Sequence, residues 1–315
     1  MDKIKLGIST CLLGEPVRYD GGHKLDRFLK DTLGRYFDYM PVCPEVECGL
    51  KTPRESMHLE GNPGAPRLVT TRTKTDLTDR MLVWADRRVR ELESENLFGF
   101  IFKSNSPSSG MERVRVLDEK GVPHKIGVGI FARAFMTHFP LIPVEDEGRL
   151  HDPELRENFI ERIFALKRWR ESLEKGRKTA CLIEFHSRHK LQMMAHSPKV
   201  ANEMGKLVAR AGEIPADKLF SQYEKMLMEG LRLKSSVKKN TNVLQHIMGY
   251  FKKQLTPDEK LELNEIMDQY YNGYFPLVVP LALLKHYVRK YKQPYLQEQC
   301  YLDPHPAELQ LRNHV

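Results

Sequence analysis

Cys43-Pro44-Glu45-Val46-Glu47-Cys48-Gly49-Leu50 sets two thiols five residues apart with two carboxylates between them. A third thiol, Cys11, follows the apolar stretch Leu6-Gly7-Ile8-Ser9-Thr10, much as Cys43 follows Tyr36-Phe37-Asp38-Tyr39-Met40-Pro41-Val42. Thiolates are soft metal donors, and iron–sulfur loops commonly separate their cysteines by two to four residues. The Cys43–Cys48 interval fits, and Cys11 can join from a neighbouring strand end. Three protein donors leave one metal position open, which a catalytic site needs and a structural site avoids. Glu45 is then the acid or base of the site. Glu47 is its rival, but strand alternation turns it away from Glu45. The plainer alternative is three reduced cysteines crowded at strand ends. Cys181, in the apolar helical stretch Thr179-Ala180-Cys181-Leu182-Ile183, reads as a core residue, and Cys300 as incidental.

The elements that must position these groups alternate between strand and helix over residues 1–148. Strands are expected at Lys3 to Ser9, Tyr36 to Val42, Phe98 to Lys103, Val114 to Leu117 and Leu141 to Val144. Helices are expected at Lys24 to Leu33, at Asp76 to Glu95 with Asp76 as cap, and at Val128 to Thr137. Pro44 and Gly49 keep the thiol segment out of regular helix or strand. Residues 51–67, with Pro53, Pro63, Gly64 and Pro66, read as one long loop. The pattern predicts an α/β domain with a mainly parallel sheet, whose strand ends are where ligands bind.

Glu145-Asp146-Glu147-Gly148 marks the expected boundary, and residues 149–315 read as all-α. Asp152 and Pro153 start a helix. Helical stretches follow at about 155–174, 178–194, 198–211, 216–233, 236–253, 257–272 and 277–291, before a tail with Pro294, Pro304 and Pro306.

With 315 residues and 41% hydrophobic content the chain can build two cores. The longest apolar run, Phe275 to Leu284, contains Pro276 and Pro280 and falls short of the ~20 residues a bilayer span requires. Asp2 and Lys3 lead directly into a strand, so no signal peptide and a cytoplasmic setting are expected; the oligomeric state is left open, with a monomer favoured. Five cysteines in a reducing compartment argue for metal binding or catalysis over a disulfide framework. The net charge of +8 is carried almost wholly beyond residue 150. This points to a polyanion partner or, more plainly, to solvated helix faces.

Four blocks together resemble the TudS-type thiouracil desulfidases: Ser9-Thr10-Cys11-Leu12-Leu13-Gly14; Val17-Arg18-Tyr19-Asp20-Gly21; Cys43-Pro44-Glu45 with Gly49-Leu50 and Pro53-Arg54; and Lys103-Ser104-Asn105-Ser106-Pro107-Ser108-Ser109-Gly110. The resemblance implies a 4Fe–4S cluster on three cysteines, whose one open iron takes sulfur from a thiolated pyrimidine without net redox chemistry. Cys11 and Cys43 match ligand positions. The family's third ligand usually stands where this chain has Ser109, in a Ser-Pro-Ser-Cys-Gly motif. Serine is a poor substitute for a thiolate, so Cys48, the nearby thiol, completes the expected set of Cys11, Cys43 and Cys48. Glu45 and Ser106 match residues implicated in catalysis, as base and as orienting hydroxyl. Their alternatives are an ion pair of Glu45 with Arg54 or Arg18, and a turn role for Ser106 before Pro107. Arg18, Asp20, Arg54 and Ser109 are expected to shape the substrate pocket, with ordinary ion pairing the alternative for the three charged groups.

Beyond about residue 155 the chain resembles the YbgA-type domain, through Glu184-Phe185-His186-Ser187-Arg188-His189-Lys190, Ala195-His196-Ser197-Pro198 and Lys239-Asn240-Thr241-Asn242-Val243-Leu244-Gln245-His246-Ile247-Met248-Gly249-Tyr250. The fusion is similar to RudS-type proteins, which remove sulfur from 4-thiouridine in transfer RNA. Lys167, Arg168, Arg170, Lys175, Arg177, Lys178, Arg188 and Lys190 supply phosphate-neutralising charge on the first helices. Lys234, Lys238, Lys239, Lys252, Lys253, Lys285, Arg289, Lys290 and Lys292 continue the series, and Tyr250, Tyr270 and Tyr271 are candidates for base stacking. His186, His189 and His196 read as hydrogen-bonded histidines before they read as zinc ligands. The expectation is therefore an iron–sulfur desulfidase acting on tRNA. The alternatives are turnover of a free thiolated pyrimidine with a structural helical domain, and an iron–sulfur sensor that binds nucleic acid without turnover.

Overall fold

The computed structural model describes residues 3–309 and 311–313, and divides into two compact units, Met1–Asp152 and Pro153–Val315. In the first unit a four-stranded sheet has the order β2-β1-β5-β8. Its strands are β1 (Ile4–Ser9), β2 (Phe37–Val42), β5 (Phe100–Phe102) and β8 (Val144–Asp146), all parallel. Ile4, Leu6 and Ile8 fill one face of β1, and β5 is apolar and buried on both faces, as a covered parallel sheet demands. Helix α2 (Thr78–Glu91) presents Met81, Trp84, Ala85 and Val89, and α3 (Ile130–His138) presents Phe131 and Phe135. These close on Phe100 and Phe102 in one aromatic core.

A second sheet, of order β4-β3-β6-β7, departs from the sequence expectation. The proline-rich stretch at 51–67 is not one loop: it carries β3 (Met57–Glu60) and leads into β4 (Arg67–Thr70). With β6 (Val114–Leu117) and β7 (Pro123–Gly127) these form a mixed sheet. Such short strands, one of them almost entirely exposed, offer no alternation to read. The last strand of the first sheet is also displaced, from Leu141–Val144 to Val144–Asp146. Glu145 and Asp146, which looked like linker, are buried, because Arg149 Nε sits 2.6 Å from Glu145 Oε1 and the Arg149 amide donates to Asp146. The helix expected at Lys24 to Leu33 is one wide π-helical turn, Phe28–Thr32, running into a 3₁₀ turn, Leu33–Arg35. The stretch after Cys43 is a single helical turn, α1 (Pro44–Glu47), because Pro44 falls at the first helical position, where its missing N–H costs nothing. Asp76 does not cap α2 as its boundary residue; its Oδ1 accepts from the Thr78 amide at 2.9 Å inside the preceding turn.

The second unit is helical: α4 (Pro153–Glu174), α5 (Thr179–His196), α6 (Pro198–Ala209), α7 (Ala216–Arg232), α8 (Val237–Gly249), α9 (Pro257–Tyr271), α10 (Val278–Lys290) and the short α11 (Pro294–Gln297). Ser197, Ser236 and Thr256 cap α6, α8 and α9, with Glu259 completing a capping box at the last. Trp169 packs against Phe185, Phe220 and Tyr223. Buried charges are matched: Arg312 bridges Glu161, at 2.7 Å, and Glu157, at 3.3 Å. Among the described residues, no helix is long and apolar enough to cross a membrane.

Gly7 sits where β1 passes the ring of Phe100, and a Cβ there would overlap ring carbons of that residue. Gly7→Ala is expected to lower the stability of the first unit by about 1–3 kcal/mol, the usual cost of overpacking, read as an earlier denaturant midpoint with an unchanged slope.

Candidate active site

Three parallel strands end at one place. β1 runs into a 3₁₀ turn, Thr10–Leu13, that carries Cys11. β2 ends at Cys43, and β5 at the loop from Lys103 to Gly110. Ser9 Oγ accepts from the Lys103 amide at 2.9 Å, tying the first and third of these ends together. Between them lies a cavity of about 430 Å³, within the range of small-ligand sites. Its walls include Cys11, Cys43, Glu45, Ser106 and Ser109, with Arg18, Arg54 and Lys103 supplying positive charge.

The Ser106–Gly110 loop is held by helix α3. The first amides of that helix have no partner within it. Here Ile130 N donates to Pro107 O at 3.2 Å, and Phe131 N and Ala132 N donate to Ser108 O at 2.9 and 3.1 Å. Gly129 makes the approach possible, since a Cβ there would lie 2.5 Å from the Ser108 carbonyl carbon and oxygen. Ser106 Oγ accepts from the amides of Ser108 and Ser109, at 3.3 and 3.1 Å, so the sequence alternative of a turn role describes most of what it does. The hydroxyl that reaches Glu45 belongs to Ser108: its Oγ donates to Glu45 Oε1 at 2.6 Å, and Ser106 Oγ lies 3.0 Å behind it. Sequence reasoning missed Ser108, although it stands in the same hydroxyl-rich block. It also missed Lys103, the first polar residue after the apolar β5, which donates to Glu147 and to Ser104 O.

Glu45 is only 13% exposed at its side chain. Besides Ser108 it meets the Cys43 thiol, which donates to Oε2 at 3.5 Å, and Arg54, whose Nη2 lies 3.9 Å away. Arg54 is itself fixed by donation to Val17 O at 3.0 Å. Glu47 does point elsewhere, through the helical turn and not through strand alternation. Its Oε1 accepts from the Cys43 amide at 2.8 Å, and Oε2 pairs with Arg88 of α2 at 3.0 Å.

Two expected site residues are not brought in. Asp20 is nearly half exposed, accepts from the Gly22 amide at 3.0 Å, and lies 3.5 Å from Arg18 outside the cavity wall. Cys48 is turned toward α2: its thiol donates to Glu45 O at 3.3 Å, Arg80 Nε donates to its carbonyl at 2.7 Å, and it packs against the apolar core. The thiol set Cys11, Cys43 and Cys48 is therefore not assembled. Among the described residues no group of three or more His, Cys, Asp or Glu side chains is placed to hold a metal ion. The thiols that do line the cavity are Cys11 and Cys43, beside the Glu45 carboxylate and several hydroxyl residues, Ser109 among them. Two soft thiols in a walled cavity are donors of the kind an iron–sulfur group takes.

Burial, and then the nearby Glu45 charge, push the Cys11 thiol up to about 11 and the Cys43 thiol up to about 12. Both are thus neutral at physiological pH until a cation replaces the proton.

In the second unit, Tyr270 cannot stack on a base, because it is only 6% exposed within the helical core. Tyr250 is stacked on Tyr295, centroids 5.3 Å apart, while Tyr271 is 53% exposed. Several expected phosphate-binding cations are already engaged: Lys239 donates to His196 O and Lys234 O, Arg168 to His189 and Pro304 O, and Lys290 to Glu259. His189 donates from Nδ1 to Phe185 O at 2.8 Å and accepts at Nε2 from Arg168. His196 lies 2.9 Å from Glu161, and His186 3.2 Å from the Tyr223 hydroxyl. Each histidine has its own separate partner. Cys181 is half-buried, not core.

A family model described as 2-thiouracil desulfurase matches residues 6–147. A second, described as protein of unknown function (DUF1722), matches residues 190–306. The "Uncharacterized protein YbgA" of Escherichia coli (strain K12) is 33% identical over 153 residues, covering 48% of this chain and 90% of that protein. A solved structure of the 4Fe-4S-dependent thiouracil desulfidase TudS is 31% identical, covering 48% of this chain and 95% of that chain, with a TM-score of 0.40.

In metal-stripped protein, thiolate is the reacting form, and its fraction grows roughly tenfold per pH unit below the pKa. Alkylation of Cys11 and Cys43 should therefore still be accelerating above about pH 9, where an ordinary thiol has levelled off. A rate that plateaus near about pH 8.5 would contradict the burial assigned to them.

Proposed function

The chain belongs to the 2-thiouracil desulfurase family through its first unit and to the DUF1722 family, with YbgA, through its second, and from this we propose that it is an iron–sulfur-dependent desulfidase that converts 4-thiouridine in tRNA to uridine. The observation that carries the reading is Glu45, a carboxylate gripped by Ser108 at the wall of a cavity that two thiols share. Cys11 and Cys43 would hold the cluster, whose contribution when bound is a Lewis-acid iron with affinity for sulfur.

The chemistry left to the side chains is hydrolysis. Water adds to the carbon bearing sulfur while its proton passes to Glu45. The C–S bond then breaks, a C=O bond replaces C=S, and the sulfur leaves as hydrosulfide or, with the proton returned, as hydrogen sulfide. No electrons are gained or lost overall. Ser108, donating to Oε1, leaves Oε2 as the basic oxygen, and Arg54 stabilises the carboxylate before the proton arrives. Arg18, Arg54 and Lys103 give the cavity the charge that suits a departing anion. The role for tRNA rests on exposed lysines of the second unit, among them Lys190, Lys238, Lys252 and Lys253. Phosphate neutralisation by such groups makes affinity fall steeply with salt. A cavity of this size also admits a free thiolated pyrimidine, which is the second reading.

Glu45→Gln should lower turnover by roughly 10²–10⁴-fold with iron content unchanged, and Ser108→Ala by less, since the base remains. Full activity of Glu45→Gln would remove the base. Desulfuration of thiolated tRNA should fall by orders of magnitude between about 50 and 200 mM salt while turnover of free thiouracil stays level. Equal salt dependence of the two would favour the free base as substrate.

A further inference from the structure

We propose that the third protein donor to the iron–sulfur group is the hydroxyl oxygen of Ser109, and that Cys48 is not a ligand. The inference rests on the iron–sulfur reading above and goes further by naming a mixed donor set of two thiolates and one alkoxide.

Four observations carry it. Ser109 shares the cavity wall with Cys11 and Cys43, whereas Cys48 does not. Ser109 is 3% exposed as a residue, and its hydroxyl oxygen stays accessible at the cavity wall with no hydrogen-bond partner among the described residues. Its position is set by backbone, since the flanking Ser108 and Gly110 carbonyls accept from Phe131 and Gly129, so the hydroxyl is presented by a rigid loop. Cys48 is held the other way by two bonds, from its thiol to Glu45 O and from Arg80 to its carbonyl. Swinging it inward would unwind the α1 turn that places Glu45.

Six other hydroxyl residues line the cavity, Ser9, Thr10, Tyr19, Ser56, Ser104 and Ser106, and the hydroxyls of Ser9, Ser56 and Ser104 are engaged with the Lys103 amide, Thr71 and Glu147. Ser106 is consumed by the Ser108 and Ser109 amides. Thr10 precedes Cys11 on a 3₁₀ turn, where neighbouring side chains diverge by about 120°, and it is the rival donor that the Thr10→Ala variant tests. The bond formed is Fe–O, and the hydroxyl proton is released to solvent, as with every protic ligand that a metal takes. An alkoxide is a harder donor than a thiolate. The iron it binds should therefore be the least covalently held and the most easily lost of the group.

The test is anaerobic reconstitution of the full chain with iron and sulfide, beside Ser109→Ala, Ser109→Cys, Cys48→Ser and Thr10→Ala. Iron and sulfide content and ⁵⁷Fe Mössbauer spectra are the readouts, and circular dichroism of each stripped variant checks folding. The proposal expects full loading for the parent, Cys48→Ser and Thr10→Ala, and severalfold less iron in Ser109→Ala. It also expects a high-isomer-shift iron in the parent that disappears in Ser109→Cys. Loss of iron in Cys48→Ser or Thr10→Ala with retention in Ser109→Ala overturns the proposal and leaves the iron–sulfur reading standing. So does a parent without iron beside a loaded Ser109→Cys. Iron in neither parent nor Ser109→Cys removes both.

Discussion

The absence of a side chain at Gly129 is the constraint on which the site depends. It lets the Ser106–Gly110 loop lie directly on the start of α3, where four amides from Gly129 to Ala132 find loop carbonyls. Those bonds do two jobs at once. They satisfy donors that a helix leaves open at its beginning, and they fix the hydroxyls of Ser108 and Ser109 relative to the ends of β1 and β2. Glu45 arrives from β2 on a turn only four residues long. Its meeting with Ser108 joins two strand ends that are not neighbours in the sheet, since β1 lies between them.

The electrostatics follow from that convergence. Two thiols and a carboxylate within one partly buried wall disfavour further negative charge, which is why burial and Glu45 both act to keep Cys11 and Cys43 protonated. Arg18, Arg54 and Lys103 offset this only in part, because Lys103 is claimed by Glu147 and Arg18 leans on Asp20 and Tyr19. A cation bound by the thiols would resolve the imbalance by displacing their protons, turning a cost of the fold into affinity for the group it holds.

In the second unit, formal charge overstates what is available. Lys239, Arg168 and Arg312 serve the interior: Arg312 neutralises two buried glutamates, and Lys239 binds carbonyls at the ends of α5 and α7. What remains for a polyanion is carried by lysines on exposed helix faces, a thinner layer than a count of basic residues suggests.

Much of this was written in local patterns. Apolar runs ending in Cys11, Cys43 and Lys103 announced parallel strands with chemistry at their ends, and 3.6-residue periodicity with Ser and Thr caps announced the helices of the second unit. The mixed sheet was hidden because four-residue strands next to prolines carry no period, and β8 because its acids are neutralised by Arg149, which a linear reading does not pair with them. The residue types at the site, thiols with Glu45 and a run of hydroxyls, were set by the sequence by itself. Which of them meet was decided only in three dimensions. A one-turn helix swings Cys48 away from Cys43, and the close packing permitted by Gly129 chooses Ser108 for Glu45 and turns Ser109 to the cavity.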